Sequence, residues 1–262
     1  MIPGIRTSRN LNFPLGQVSD TSSFVNVTFS PARWWWLAAV VSLAAAPDGF
    51  NAEARKTTNA PPAAAAKPAP ESPEEQLLAL FKKEDHVTNT LGMLMVWVPA
   101  GYRVAKTEVT QAEYEAMMGV NPSRFTAPLH PVEQVSWDDA VQFCRRLTEK
   151  EQKDGKVPKT YLYTLPTEQE WEFYADETPL KDGITSYLGD RRNPENVGQL
   201  PANRYGLHDV RGNVWEWCST PVARGGSWRT FEDYLDLKFR YVGTPELKYD
   251  DIGFRLVLKK SG

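Results

Sequence analysis

Apolar and polar residues alternate differently in four successive stretches of this chain. Trp34 to Ala46 is an unbroken apolar and small-residue run of thirteen positions. That is short of the ~20 residues a membrane helix needs, but it suits the hydrophobic region of a secretory signal. From Thr57 to Pro73, alanine and proline dominate without any periodicity, which predicts a semi-rigid spacer and no core. Ser72-Pro73-Glu74-Glu75 then sets a helix start, with serine as cap, proline in the first turn and acids at the positive end of the dipole. Amphipathic spacing carries that short helix from Glu74 to Lys83.

Beyond Leu91 the pattern is that of a folded domain. Met93 to Pro99 reads as a buried strand and Tyr102 to Val109 alternates as a second. Thr110 with Glu113 forms a capping box for a helix ending at Met118, before Asn121-Pro122-Ser123. Ser136 caps a helix from Trp137 to about Lys150, with Ala140, Val141, Cys144 and Leu147 on one face. Thr167, with Glu170, caps a third. After Asp176 only short strands stand out, around Val222–Trp228, Lys238–Tyr241 and Phe254–Leu258. Two to three helices with short antiparallel strands and a long irregular second half predict an α+β fold of low regular content. The expected organisation is a leader and signal (1–54), an Ala/Pro linker (55–73), a short helix and lead-in (74–90), and one compact domain (91–262).

Composition narrows the picture. With 262 residues, 41% of them hydrophobic, the chain can bury a full core in one domain with appendages. A net charge of -3 and the lack of a Lys/Arg stripe argue against nucleic acid as a partner. Arg33 precedes the apolar run and Ala52-Glu53-Ala54 offers a small-x-small cleavage site. Residues 1–24 are polar and do not fit a signal, so translation is expected to begin near Val25 or Val27. Cleavage would leave Arg55 first; the alternative is an uncleaved N-terminal anchor, the only membrane contact expected. Both place the domain outside the cytoplasm, in the periplasm or the medium.

Three glycine-aromatic motifs occupy the irregular half. They are Gly206-Leu207-His208-Asp209 running into Gly212-Asn213-Val214-Trp215-Glu216-Trp217, then Arg224-Gly225-Gly226-Ser227-Trp228, then Gly253-Phe254-Arg255. Such mixtures predict tight loops packed on aromatic rings. Together with Val96-Trp97-Val98-Pro99-Ala100-Gly101, Lys106-Thr107-Glu108-Val109-Thr110, Pro131-Val132-Glu133-Gln134-Val135-Ser136-Trp137 and Leu165-Pro166-Thr167-Glu168-Gln169-Glu170-Trp171, they resemble, in order, the formylglycine-generating-enzyme or sulfatase-modifying-factor family. The resemblance runs from about Met93 to Leu258. It implies a fold related to C-type lectins, held by loop packing. It also implies an oxidase that converts a sulfatase cysteine to formylglycine, a related iron-dependent sulfur enzyme, or a non-catalytic binding domain.

In the family's oxidase, two cysteines just after the Gly-Gly-Ser-aromatic motif hold copper(I), a soft ion suited to thiolates. The matching positions here are Arg229 and Tyr234, so no copper is expected. Ser227 keeps the family's serine without a base near it in sequence. His86, His130 and His208 are too widely spaced to suggest an iron site. The resemblance implies a structural calcium at Asp209, Gly212, Val214 and Glu216, with hard oxygen ligands; the alternative is that Glu216 pairs with an arginine such as Arg211. Cys144 and Cys218 either bridge or stay as two buried thiols, the family's usual partner position near the C-terminus being Leu256 or Val257. The stretch Ser219–Ala223 is also short where family enzymes carry a substrate-facing excursion. Trp228, Arg229, Phe231, Tyr234, Arg240 and Tyr241 are candidate ligand-binding residues, being of the types enriched in binding hot spots; Trp228, Phe231 and Arg240 could instead complete the core. The expected function is an exported, non-catalytic binding or assembly module for a protein or glycan ligand. The alternative is an oxidase-type or other sulfur- or iron-dependent enzyme, or an accessory factor in sulfatase maturation.

Overall fold

A computed structural model describes residues 71–175, 191–231 and 235–262. The signal-like run, the spacer up to residue 70 and Tyr234 lie outside the described residues. The elements are α1 (Pro73–Lys83), β1 (His86–Thr88), β2 (Leu94–Val98), β3 (Tyr102–Ala105), α2 (Gln111–Met118), α3 (Trp137–Lys153), β4 (Tyr161–Thr164), α4 (Glu168–Ala175), β5 (Trp215–Trp217), β6 (Val222–Arg224), β7 (Tyr241–Val242), β8 (Ile252–Gly253) and β9 (Val257–Lys260). The expected α+β class, with antiparallel strands, holds.

The helices begin where the side chains can cap them. Ser72, Thr110 and Ser136 each accept from the backbone N–H three residues on, and Glu75, Glu113 and Asp139 return the bond. Thr167 and Glu170 exchange bonds of 3.1 and 2.8 Å in the same way before α4. At the other end of α1, the buried guanidinium of Arg103 donates to the carbonyls of Phe81 and Glu84 and lies 4.4 Å from the Phe81 ring centroid. One side chain thereby satisfies two orphan carbonyls and seats α1 on the domain.

A five-stranded antiparallel sheet runs β1-β2-β3-β9-β4. Its β4 edge is blunted from the side: Thr148 Oγ1 of α3 accepts from Tyr163 N at 2.9 Å, and Gln152 Nε2 donates to Tyr161 O at 2.8 Å. Bonds taken up by a helix leave less ladder free for another chain. A four-stranded sheet, β7-β6-β5-β8, carries the motifs, with β5 and β8 parallel and Trp215 opposite Ile252.

Several strands are shorter than their hydrophobic pattern. The second stops at Ala105 instead of Val109, because Glu108 turns inward and Val109 N bonds Phe254 O at 3.0 Å. The strand expected to reach Trp228 stops at Arg224, where Gly225 and Gly226 adopt φ of 98° and 81°. Of the strand expected over Lys238–Tyr241 only Tyr241 is in one, β7, which runs on to Val242. Of the one expected over Phe254–Leu258 only Val257 and Leu258 belong to a strand, in β9, while Phe254 to Leu256 cross from β8 of one sheet to β9 of the other. At that crossing Gly253 is obligatory, since a Cβ there would lie 2.4 Å from Val132 O.

Candidate functional site

Alternation along β5 separates the roles of the Trp-Glu-Trp motif. Glu216 is buried beneath the sheet, where Oε2 accepts from Trp171 Nε1 at 2.9 Å and from Tyr174 OH at 3.4 Å. Its Oε1 takes Arg255 Nε at 2.9 Å and Nη2 at 2.7 Å. Arg255, equally buried, also donates to Ala105 O and His208 O at 3.1 and 2.7 Å. Burial alone would pull this guanidinium toward neutrality, but Glu216 and Glu108 outweigh it and hold it charged. Asn213 Nδ2 donates to Glu108 Oε1 at 3.1 Å. Two of the three motifs therefore meet in one buried ion-pair network, which ties β5 to the sheet crossing.

That network bears on the calcium expectation. Asp209 and Asn213 both sit at φ 55°, and Asp209 accepts from Gly198 N while its Oδ1 stays buried and unpartnered. Glu216, however, has no lone pair turned toward a cation, because Arg255, Trp171 and Tyr174 occupy both oxygens. Asp209, Gly212, Val214 and Glu216 thus do not fit a calcium ligand set as arranged. The arginine partner of Glu216 is Arg255; Arg211 instead donates to Leu235 O at 2.9 Å. Among the described residues, no group of three or more His, Cys, Asp or Glu side chains is placed to hold a metal ion.

After the Gly-Gly turn, Ser227 is fully buried and donates from Oγ to Asp251 Oδ2 at 2.8 Å. The base absent from the neighbouring sequence is thus present in space, but the serine itself is fully buried. Arg229, in the position matching a copper cysteine, pairs with Asp250, holds its Nε 3.6 Å from Asp251 Oδ2 and lies 4.5 Å from the Trp228 ring centroid. Asp250 also takes Arg124 Nη1 at 2.6 Å. The two cysteines are free and buried, and burial pushes both thiols well up, so neither supplies a thiolate.

Beside this cluster lies a cleft of about 180 Å³ lined by Trp215, Arg229, Tyr241, Tyr249, Asp251 and Ile252. Trp215, Tyr241 and Tyr249 line it as a chain of aromatic contacts at tilted and edge-on angles, with Phe239 next to Trp215. Phe239 and Trp215 have centroids 5.8 Å apart, Trp215 and Tyr241 5.9 Å, and Tyr241 and Tyr249 6.4 Å. Of the six candidate ligand residues, Arg229 and Tyr241 line the cleft. Trp228 is buried behind it, edge-on to Phe125, and completes the core. Phe231 is 54% exposed and is not among the cleft's lining residues. Arg240 turns to Glu168 of α4, with Nη2 2.7 Å from Oε1, and Tyr234 is outside the described residues. Sequence reasoning missed Trp215, Tyr249 and Asp251. Trp215 was visible within its motif, and the other two stand just ahead of Gly253-Phe254-Arg255, but nothing local shows that β8 pairs with β5.

The family model "Sulfatase-modifying factor enzyme 1-like domain" matches residues 80–260. "Chaperone protein LppX" of Paenibacillus barcinonensis is 29% identical over 186 residues, covering 49% of this chain and 66% of that protein. "Inactive C-alpha-formylglycine-generating enzyme 2" of Mus musculus is 29% identical over 163 residues, 48% of each. The chain thus spans under two thirds of the length of either relative. The solved structure of Treponema denticola variable protein 1 superposes with a TM-score of 0.52 at 28% identity, covering 60% of this chain and 84% of that one.

Proposed function

This chain belongs to the sulfatase-modifying factor enzyme 1-like domain family, and we propose that it works as an exported, non-catalytic binding or assembly module. The observation that carries this reading is Arg229. At a position where the family's oxidase needs a copper thiolate, a guanidinium is fixed by Asp250 and stacked on Trp228. Neither remaining cysteine can substitute, because both are buried thiols at other places in the fold. A relative named as an inactive formylglycine-generating enzyme and a relative named as a chaperone both support a non-catalytic assembly role. The signal-like run Trp34–Ala46 and the cleavage pattern at Ala52-Glu53-Ala54 support export, and the Ala/Pro tract supports display on a spacer. Among the described residues no helix is long and apolar enough to cross a membrane. A competition titration tests the reading: the full chain should take no Cu(I) from a bicinchoninate complex, and stoichiometric uptake would contradict it.

A further inference from the structure

We infer that the cleft between β5, β7 and residues 249–252 binds one neutral pyranose ring of a glycan, an inference that rests on the binding-module reading and deepens it. The first observation is an unused donor. Trp137, Trp171, Trp217 and Trp228 each donate their indole N–H, to Cys218 O, Glu216 Oε2, Val135 O and Asp250 O at 2.8, 2.9, 3.1 and 3.4 Å. Trp215 lines the cleft, and its N–H bonds none of the described residues but is not among their buried unpartnered atoms, so it reaches solvent. An indole N–H that meets water can donate to a ligand hydroxyl in its place.

The second observation is an unused acceptor on the same wall. Ser227 and Arg229 approach Oδ2 of Asp251, whereas Oδ1 accepts from no other residue among those described. The hydroxyls of Tyr241 and Tyr249, both of which line the cleft, add groups that can donate or accept. A polyol presents donors and acceptors alternately around an apolar ring face, and so can answer both sets while packing against the aromatic rings. A proline ring would answer only the donors and would desolvate Asp251 with nothing in return. A cation would face Arg229, which is part of the wall.

Charge and size agree. Arg124 and Arg229 are balanced by Asp250 and Asp251, so the site carries no net charge that would select an ion. At about 180 Å³ the cleft is smaller than the roughly 300–1,000 Å³ of pockets that enclose drug-sized ligands. It therefore fits one ring, with the remainder of the glycan running outside.

The test uses the full chain on an array of neutral pyranose oligosaccharides and proline-rich peptides, followed by calorimetry with the strongest glycan. Trp215→Phe deletes the N–H together with the five-membered ring of the indole, and should weaken binding at least tenfold with an unchanged far-UV spectrum. Should that variant not fold, Tyr249→Phe, at a more exposed position, must weaken binding instead. The inference is overturned if no neutral glycan binds, if the peptides bind instead, or if a folded variant binds as well as the parent. An empty array alongside no Cu(I) uptake would remove the sugar while leaving the non-catalytic reading in place.

Discussion

Arg255 shows how far a single residue is determined by charge alone. Its guanidinium is fully buried and its bonds to Glu216 and two backbone carbonyls span much of the chain. Arg255→Met should destabilise the domain by about 3–5 kcal/mol, because it leaves Glu216 charged and unpaired in the interior; urea unfolding measures this. In sequence an arginine partner for Glu216 stood only as the alternative to calcium, with Arg211 as its example; Arg211 is near in sequence and Arg255 is near in space. Gly253 is a second case. Gly253→Ala would press a methyl group against Val132 O and should cost about 1–3 kcal/mol by the same assay. The motif glycine looked like loop permissiveness in sequence and is a packing requirement in the fold.

At the scale of elements, the helices were the most legible part, because each begins with a local capping box that sequence spacing displays. Strands were less so. β7 and β8 have two residues each and exist only through pairing with β6 and β5, which no local pattern encodes. The segment between α2 and α3 holds a further element-scale effect. Glu133 is fully buried there, and burial pushes its carboxyl from 4.5 up to about 7, Asp250 adding to the rise while the Phe125 N–H opposes it. Since the folded value lies above the unfolded one, Glu133 favours folding most below pH 4.5, and that contribution is lost as the pH rises through about 7. Glu133→Gln keeps the acceptor for Phe125 N. It should flatten the unfolding free energy between these pH values by about 1–3 kcal/mol, at about 1.4 kcal/mol per tenfold change in proton affinity. Urea midpoints at pH 5 and pH 7.5 would show this; equal slopes in parent and variant would contradict it.

For the whole molecule, family and α+β class were legible from ordered motifs, whereas the cleft was not, because it assembles from β5, β7 and the turn before β8. The central claim is that the scaffold persists and the oxidase chemistry does not. It is carried by Arg229, bound by Asp250 where a thiolate would be needed, and by two thiols buried elsewhere. The most direct measurement is mass spectrometry of a Cys-x-Pro-x-Arg peptide after incubation with the full chain, Cu(I) and O₂. The peptide should return with its cysteine intact. Conversion of that cysteine to the formylglycine aldehyde would contradict the account.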